Sequence, residues 1–429
     1  MNTVPIQDAG SVEEAAREAR EEIARGSEEL IDLLRELVRV PSVFGQEGKC
    51  QTLVAEKLED FCDSVDIWEP RQSSLEGHPS YFCPGVDYTG RPNVVGVLKG
   101  SGNGRSLIIN AHVDVVGSGD PSTWQHPPWD GCVEGLRLYG RGACDTKGGM
   151  AAAIYALKVL RKLGVSLRGD VIFESVSGEE WGGGGTLATL LKGYIADAAL
   201  VVEPTNLRIC PICRGGAIFQ VYVQGKGAHP INSQSGISAI EKAMVILSAL
   251  KNLQEIRREK FEREIFGKRH NLTPLVVGSI SAEIPQKVPE KCIIKGVIGY
   301  PPEESYEEVK RELEGYLATV SRLDPWLLHH PASVTWEGYN KEGSKVEPDT
   351  PIISTLSEAF QDVLGVGASL DVFPASCDAH FFTRYWGIPA VILGPGDCTI
   401  AHTSNEYVDV NEVINFAKIL ATTILRWCS

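Results

Sequence analysis

Apolar positions along the chain follow two periods, and the switches between them mark out the elements. From residue 11 to residue 40 charged and apolar residues alternate in a helical rhythm. Leu30, Leu33, Leu34, Leu37 and Val38 fall on one face, Ser27 is placed to cap the helix, and Pro41 ends it. A second helix is predicted over 50–62. Residues 63–105 are rich in Gly, Pro and Ser, with short strand-like runs such as 93–99. Beyond them the apolar runs 107–110, 171–176 and 198–202, each followed by polar residues, read as buried strands. The Ala-rich segment 149–163 and the segment beginning at Thr186 read as helices between them. Strand and helix in alternation predict an α/β fold, a mostly parallel sheet sandwiched by helices.

After Pro211 the rhythm changes. Residues 218–223 alternate as a half-exposed strand, 237–253 read as a helix, 273–282 and 291–300 as strands, 303–317 as a helix and 333–338 as a strand. The order β-α-β-β-α-β is that of a ferredoxin-like α+β domain. An inserted domain is therefore expected at 213–343, dividing a first domain into 1–212 and 344–429. A helix over 350–364, a buried strand over 390–393 and a closing helix over 410–428 complete the first domain.

The length of 429 residues favours two or three domains over one. The 41 Lys and Arg against 56 Asp and Glu, a net charge of −15, argue against a nucleic-acid surface and against docking on anionic lipid. The first residues lack the apolar core of a secretory signal, and no run of about 18 apolar residues occurs, so a cytoplasmic protein with no membrane partner is expected. Eleven scattered Cys read as reduced thiols. Cys210 and Cys213 form one CxxC, with no second to complete a four-cysteine zinc site, and are expected to pack rather than to cycle.

Polar residues recur where the predicted strands end, the edge at which open α/β sheets bind ligands. His112 and Asp114, two apart and so on one side of a strand, follow the first run. Asp145 precedes the Ala-rich helix, Glu179 and Glu180 follow the second run, Glu203 the third, and His402 the run at 390–393. Each alone has an ordinary reading as a core histidine, a solvated loop or a turn. The set does not, because charge gathered in one crevice is costly unless paired or metal-bound. Two imidazoles with carboxylates suit Zn2+, with Co2+ or Mn2+ as alternatives. Asp145, Glu180 and Glu203 with one bridging hydroxide would balance two divalent ions; Asp145 is the natural bridge, and Glu179 is left as the acid/base.

These segments stand in the chain as Ala111-His112-Val113-Asp114, Gly140-Arg141-Gly142-Ala143-Cys144-Asp145-Thr146-Lys147-Gly148-Gly149, Gly178-Glu179-Glu180, Glu203-Pro204-Thr205 and His402-Thr403-Ser404-Asn405-Glu406. Together they resemble the co-catalytic zinc metallopeptidase and deacylase family of acetylornithine deacetylase, succinyl-diaminopimelate desuccinylase, aminoacylase and carboxypeptidase G, from about residue 27 onward. The resemblance implies two Zn2+ per subunit, one on His112, Asp145 and Glu203, the other on Asp145, Glu180 and His402. It implies Asp114 as the group that orients His112, Glu179 as general base, and a cis peptide after Asp145. The inserted domain becomes a lid and dimerisation domain: Gly225-Lys226-Gly227-Ala228-His229-Pro230 matches a stretch whose His, here His229, reaches across a homodimer to stabilise the oxyanion. Arg214-Gly215-Gly216 resembles the start of that domain. Ser376-Cys377-Asp378 and Gly394-Pro395-Gly396 resemble loops around the substrate, so Arg214, Ser376, Asp378, Gly394 and Gly396 are candidate substrate contacts, the loops through backbone N–H groups. One departure stands out. Many relatives end the third lid strand on an Arg that, in some of them, contacts the substrate carboxylate, whereas Gly296-Val297-Ile298-Gly299-Tyr300-Pro301-Pro302 has none. Tyr300 either lines the pocket or packs.

The expected activity is hydrolysis of a linear amide in a small N-acyl amino acid or dipeptide-like substrate. The first choice is an N-acyl amino acid deacylase, the alternative a dipeptidase or aminopeptidase, and the remote alternative a binding-only relative. A dinucleotide-binding reading fits poorly. Gly140-Arg141-Gly142 meets Asp145 at the sixth position, and Gly183-Gly184-Gly185-Thr186-Leu187-Ala188 alone leaves His112, Asp145 and His402 unexplained.

Overall fold

The computed structural model describes residues 4–5, 9–82, 85–282 and 286–429. The chain forms two compact units: Met1–Ile212 with Lys345–Phe373 and Cys377–Ser429, and Cys213–Ser344 with Pro374–Ser376.

The first unit is built on a nine-stranded sheet. In spatial order its strands are Ser344–Lys345, Ile209–Cys213, Ala390–Ile392, Ala198–Val201, Leu107–His112, Val171–Val176, Asn93–Leu98 and Ser64–Trp68, with Leu370–Phe373 beside Ile209–Cys213. The four strands from Ala390–Ile392 to Val171–Val176 are parallel, while the pairs of Asn93–Leu98 with its two neighbours are antiparallel. Every residue of those four parallel strands is buried, which is why they read in sequence as unbroken apolar runs. The helices Ala9–Arg25, Ser27–Arg39, Gly148–Lys162, Pro351–Leu364 and Val410–Cys428 bury their apolar faces in the same core.

Two glycines show how closely these elements approach. Gly149 opens the Ala-rich helix against the sheet, where an added Cβ would lie 2.2 Å from Val202 Cγ1. Gly26 joins the first two helices head to tail, and a Cβ there would meet the Tyr155 hydroxyl at 1.9 Å. That junction corrects the expected cap. The Gly26 carbonyl accepts the Leu30 N–H at 3.2 Å, and Ser27 is the first residue inside the helix rather than its cap. The residues expected on the apolar face, Leu30, Leu33, Leu34, Leu37 and Val38, are the ones buried.

The second unit is a four-stranded antiparallel sheet, in order Leu275–Ala282, Lys291–Tyr300, Gly215–Gln224 and Ser333–Lys341. The helices Ala239–Phe261 and Tyr306–Ser321 share its core. Chain order and sheet order together are ferredoxin-like. A capping box of Ser305 and Glu308 starts the second helix. Between the first helix and Leu275–Ala282 lies a small hairpin, Arg263–Ile265 with Lys268–His270, that the apolar pattern does not signal. Tyr300 packs: it is fully buried, and its hydroxyl donates to the Lys341 carbonyl at 3.0 Å. Cys210 and Cys213 are buried as well, in the strand Ile209–Cys213. Among the described residues no helix is long and apolar enough to cross a membrane.

Candidate metal centre

Parallel pairing brings the carboxyl ends of four strands to one edge of the first unit's sheet. His112 is the last residue of Leu107–His112, in register with Val176. Val171–Val176 runs on to Glu179 and Glu180, Ala198–Val201 to Glu203, and Ala390–Ile392 to the loop that carries His402. Asp145 lies in the turn Ala143–Lys147 that leads into Gly148–Lys162, and the Asp145–Thr146 peptide is cis. Residues far apart in sequence thus converge because their strands all point the same way.

They converge closely. Ligand atoms of His112, Asp145 and Glu203 lie within 4.8 Å of one another, and so do those of Asp145, Glu180 and His402. Asp145 belongs to both sets: its Oδ1 is 3.0 Å from His112 Nε2 and its Oδ2 is 3.3 Å from His402 Nε2. His402 Nε2 also lies 2.9 Å from Glu180 Oε1. His112, Glu179 and Glu203 are buried, and His402 sits at the exposed rim.

Charge explains the contacts. Burial alone would keep the His112 imidazole neutral, but Asp145, with Glu179 and Glu203 nearby, raises its pKa well above the ordinary value. Hydrogen bonds to Asp145 and Glu180 pull His402 up to about 10. Burial pushes Asp145 up, yet His112 and His402 outweigh it and hold the carboxyl below the usual range. For Glu180 burial wins, and its pKa is pushed up to about 7. At both histidines the neighbouring carboxylates favour positive charge against the cost of burial, a compensation that a divalent cation between the same donors would supply without protons. The set contains only imidazole nitrogen and carboxylate oxygen, the donors of Zn2+, Co2+ and Mn2+ sites. The neighbouring thiol of Cys144 is turned away, to the Asp397 carbonyl at 3.3 Å.

Three more residues hold this arrangement. His112 Nδ1 donates to the backbone carbonyl of Asp114 at 2.8 Å, whereas the Asp114 carboxylate is 4.0 Å away. The tautomer is therefore fixed by the main chain. The carboxylate has different work: it accepts the N–H groups of Gly178 (2.8 Å), Glu179 (3.2 Å) and Glu180 (3.1 Å), and so fixes the loop that carries both glutamates. Glu406 and Lys147 were legible only as letters in the quoted segments. Glu406 accepts the N–H groups of Cys144 and Asp145 and the Arg141 guanidinium. The Lys147 ammonium, fully buried, donates to the carbonyls of Leu37 and Val40, both at 2.9 Å, at the end of Ser27–Arg39.

The expected substrate contacts fare differently. Gly394 N–H donates to Thr205 Oγ1 at 3.1 Å and Gly396 N–H to Glu412 at 2.7 Å, so neither is open to a substrate carboxylate. Asp378 is fully buried and accepts from Thr186 Oγ1 at 2.6 Å. In the second unit, Arg214 is half-buried; its Nε donates to the Pro374 carbonyl at 2.6 Å and its Nη1 to the Gly215 carbonyl at 3.3 Å. Ser376 Oγ lies 3.4 Å from the Tyr339 hydroxyl. His229, also in the second unit, is exposed, and its Nδ1 accepts the Ile231 N–H at 3.2 Å.

A mostly parallel α/β sheet with two donor triads sharing one carboxylate at its carboxyl edge has the arrangement of a metal-dependent hydrolase. The family follows from comparison with known proteins. The chain belongs to peptidase family M20/M25/M40, whose family model matches residues 108–426. It is similar to N-formyl-4-amino-5-aminomethyl-2-methylpyrimidine deformylase of Bacillus subtilis, 31% identical over 96% of this chain and 97% of that protein. The protein of the same name from Halalkalibacterium halodurans is 29% identical over 95% and 96%. Acetylornithine deacetylase of Myxococcus xanthus is 28% identical over 88% of this chain and 96% of its own length. A dinuclear metal-binding M20 peptidase from Bacillus subtilis shares the fold, with a TM-score of 0.64 at 18% identity over 94% of this chain and 99% of that one.

Proposed function

We propose that the protein hydrolyses the linear amide of an N-acylated small amine, with a short acyl group, formyl in the first instance, on an amine that carries an aromatic ring. The observation that carries the hydrolase reading is the sharing of Asp145 between two donor triads, with Glu179 next in the chain to the donor Glu180. The choice of amine is supported by the deformylases that match nearly the whole chain. It is also supported by the missing Arg before Pro301, since an amine without a carboxylate needs no such partner. Trp181, directly after Glu180, is 45% exposed and leans on Phe44 at 5.6 Å between ring centroids, a surface suited to a flat ring.

In this reading His112, Asp145 and Glu203 hold one divalent ion and Asp145, Glu180 and His402 a second, Zn2+ by donor chemistry, with Co2+ or Mn2+ accepted by the same donors. Ions bound there supply an acidified water and a Lewis acid for the amide carbonyl. Glu179 takes the proton of the attacking water and hands it to the leaving nitrogen, so that the products are a carboxylate and a free amine. Asp114 keeps Glu179 in place through the three N–H groups it accepts, and its carbonyl keeps the His112 Nε2 turned to the donors. His229 is assigned to the oxyanion of a partner subunit in a homodimer formed through the second unit. A monomeric variant with undiminished turnover would refute that assignment. A reducing, cytoplasmic setting suits the described cysteines, which form no disulfide.

A competition among N-formyl-4-amino-5-aminomethyl-2-methylpyrimidine, N-formyl and N-acetyl amino acids, and dipeptides tests the substrate class, with released amine as the readout. The highest kcat/KM is expected for the formylated pyrimidine. A second reading, an N-acyl amino acid deacylase, is favoured by Arg214, whose guanidinium bonds only to backbone carbonyls and makes no ion pair among the described residues. A substrate carboxylate would complete it. Preference for an N-acyl amino acid would select this second reading; preference for a dipeptide would overturn both.

A further inference from the structure

Glu406 lies four residues after His402 and is fully buried. The strand Tyr407–Asp409 follows it and pairs antiparallel with Arg137–Tyr139, Tyr407 opposite Tyr139. The Glu406 carbonyl carries this ladder one residue further by accepting the Gly140 N–H at 2.9 Å. Its side chain then reaches along the same segment. Oε1 accepts the N–H groups of Cys144 at 3.0 Å and Asp145 at 3.2 Å, and Oε2 accepts the Arg141 guanidinium. Arg141 is itself buried, its guanidinium 5.3 Å from the centre of the Trp124 ring and its N–H bonded to the Pro128 carbonyl at 2.8 Å. Every polar group of Glu406 described here is thus spent on residues 140–145.

We propose that Glu406 is a positioning residue that locks the loop of the shared ligand Asp145 to the loop of His402, so that the two donor triads form and shift as one. The proposal rests on the metal reading given above and goes beyond it to a residue outside the donor set. Hydrogen bonds from backbone N–H groups and from a guanidinium to one carboxylate are charge-assisted and directional, which is what the spacing of two metal positions requires. A carboxylate that only filled a core site would have no reason to take the two N–H groups that flank the Cα of the shared ligand's predecessor and begin the ligand residue itself.

The test measures metal affinity rather than turnover. Metal-free protein is titrated with Zn2+ against a chromophoric chelator, and thermal unfolding of the metal-free form is recorded in parallel. Glu406→Ala is expected to weaken Zn2+ binding about 10–100-fold, the usual effect of losing a group behind a ligand, and at both positions because Asp145 serves both. Glu406→Gln, whose amide oxygen can still accept the two N–H groups, is expected to recover part of that loss. Glu174→Gln, a buried carboxylate with no bond to residues 140–145, is the control and is expected to bind Zn2+ as the wild type does. A folded Glu406→Ala protein that binds two Zn2+ with wild-type affinity overturns the proposal. If Glu406→Ala does not fold, Glu406→Gln and Arg141→Met replace it, and wild-type affinity in both overturns it equally. Failure of the unaltered protein to bind a pair of Zn2+ would instead overturn the metal reading itself.

Discussion

Glu179 and Glu180 are neighbours with opposite tasks. Glu180 is drawn to His402 and shares a donor triad with it and Asp145, while Glu179 belongs to neither donor triad. Glu179→Gln is therefore expected to lower kcat by about 10²–10⁴-fold while elemental analysis still finds the full metal complement; loss of metal in that variant would move Glu179 into the ligand set. Glu174 shows a different use of a buried carboxyl. It sits in the centre of the sheet, accepts from Asn110 at 2.9 Å, and burial pushes its pKa up to about 8. Below about pH 4.5 it is protonated whether the chain is folded or not. Between there and pH 8 the unfolded chain gives up the proton and the folded one keeps it, so stability falls as pH rises through that window and levels off above it. Glu174→Gln should flatten this slope, which is at most about 1.4 kcal/mol per pH unit, and be more stable than wild type at pH 9. Urea midpoints at pH 5, 7 and 9 would show it.

Among the elements, the helix Ser27–Arg39 ends on Lys147, an ammonium from the segment that carries Asp145. Lys147→Met keeps the bulk and removes both bonds to the terminal carbonyls, and should cost about 1.5–3 kcal/mol in urea unfolding. Such links also set the limit of what sequence can reveal. The four parallel strands were legible because burial on both faces makes them apolar throughout, and four of the five donors were legible because each follows such a run; Asp145 instead precedes the Ala-rich helix. The strand Ile209–Cys213 was not, since Pro211 interrupts it and no alternation marks it. Nor was the hairpin of Arg263–Ile265 and Lys268–His270, whose residues are mostly charged and exposed. Gly394 and Gly396 looked open because their partners Thr205 and Glu412 stand on other elements. Asp114 was placed beside His112 by its spacing, but the three N–H groups its carboxylate accepts come from 64 to 66 residues further along the chain. Periodicity reports which face is buried; it carries no information about which distant polar group meets which.

For the whole molecule, the donors act as a clasp on parts of the chain that are remote in sequence: His112, Asp145, Glu180, Glu203 and His402. Anything that binds the folded form alone stabilises it, by about 2.7 kcal/mol for a free concentration 100 times the Kd. Removing metal with a strong chelator is expected to abolish hydrolysis and lower the Tm together, and adding back Zn2+, Co2+ or Mn2+ to restore both. A Tm indifferent to chelation would mean that the clasp contributes nothing to the fold. The order of strands has a further consequence, for the protein's birth. Ala390–Ile392 lies inside the sheet, between Ala198–Val201 and Ile209–Cys213, yet it is made almost 200 residues after the first of them. At ribosomal speed that delay is roughly 10–40 s. During it the strand Ala198–Val201 presents a bare edge, while the intervening Cys213–Ser344 can complete its own four-stranded sheet. The donor triad of Asp145, Glu180 and His402 can form only after translation has passed His402, at the end of that same interval.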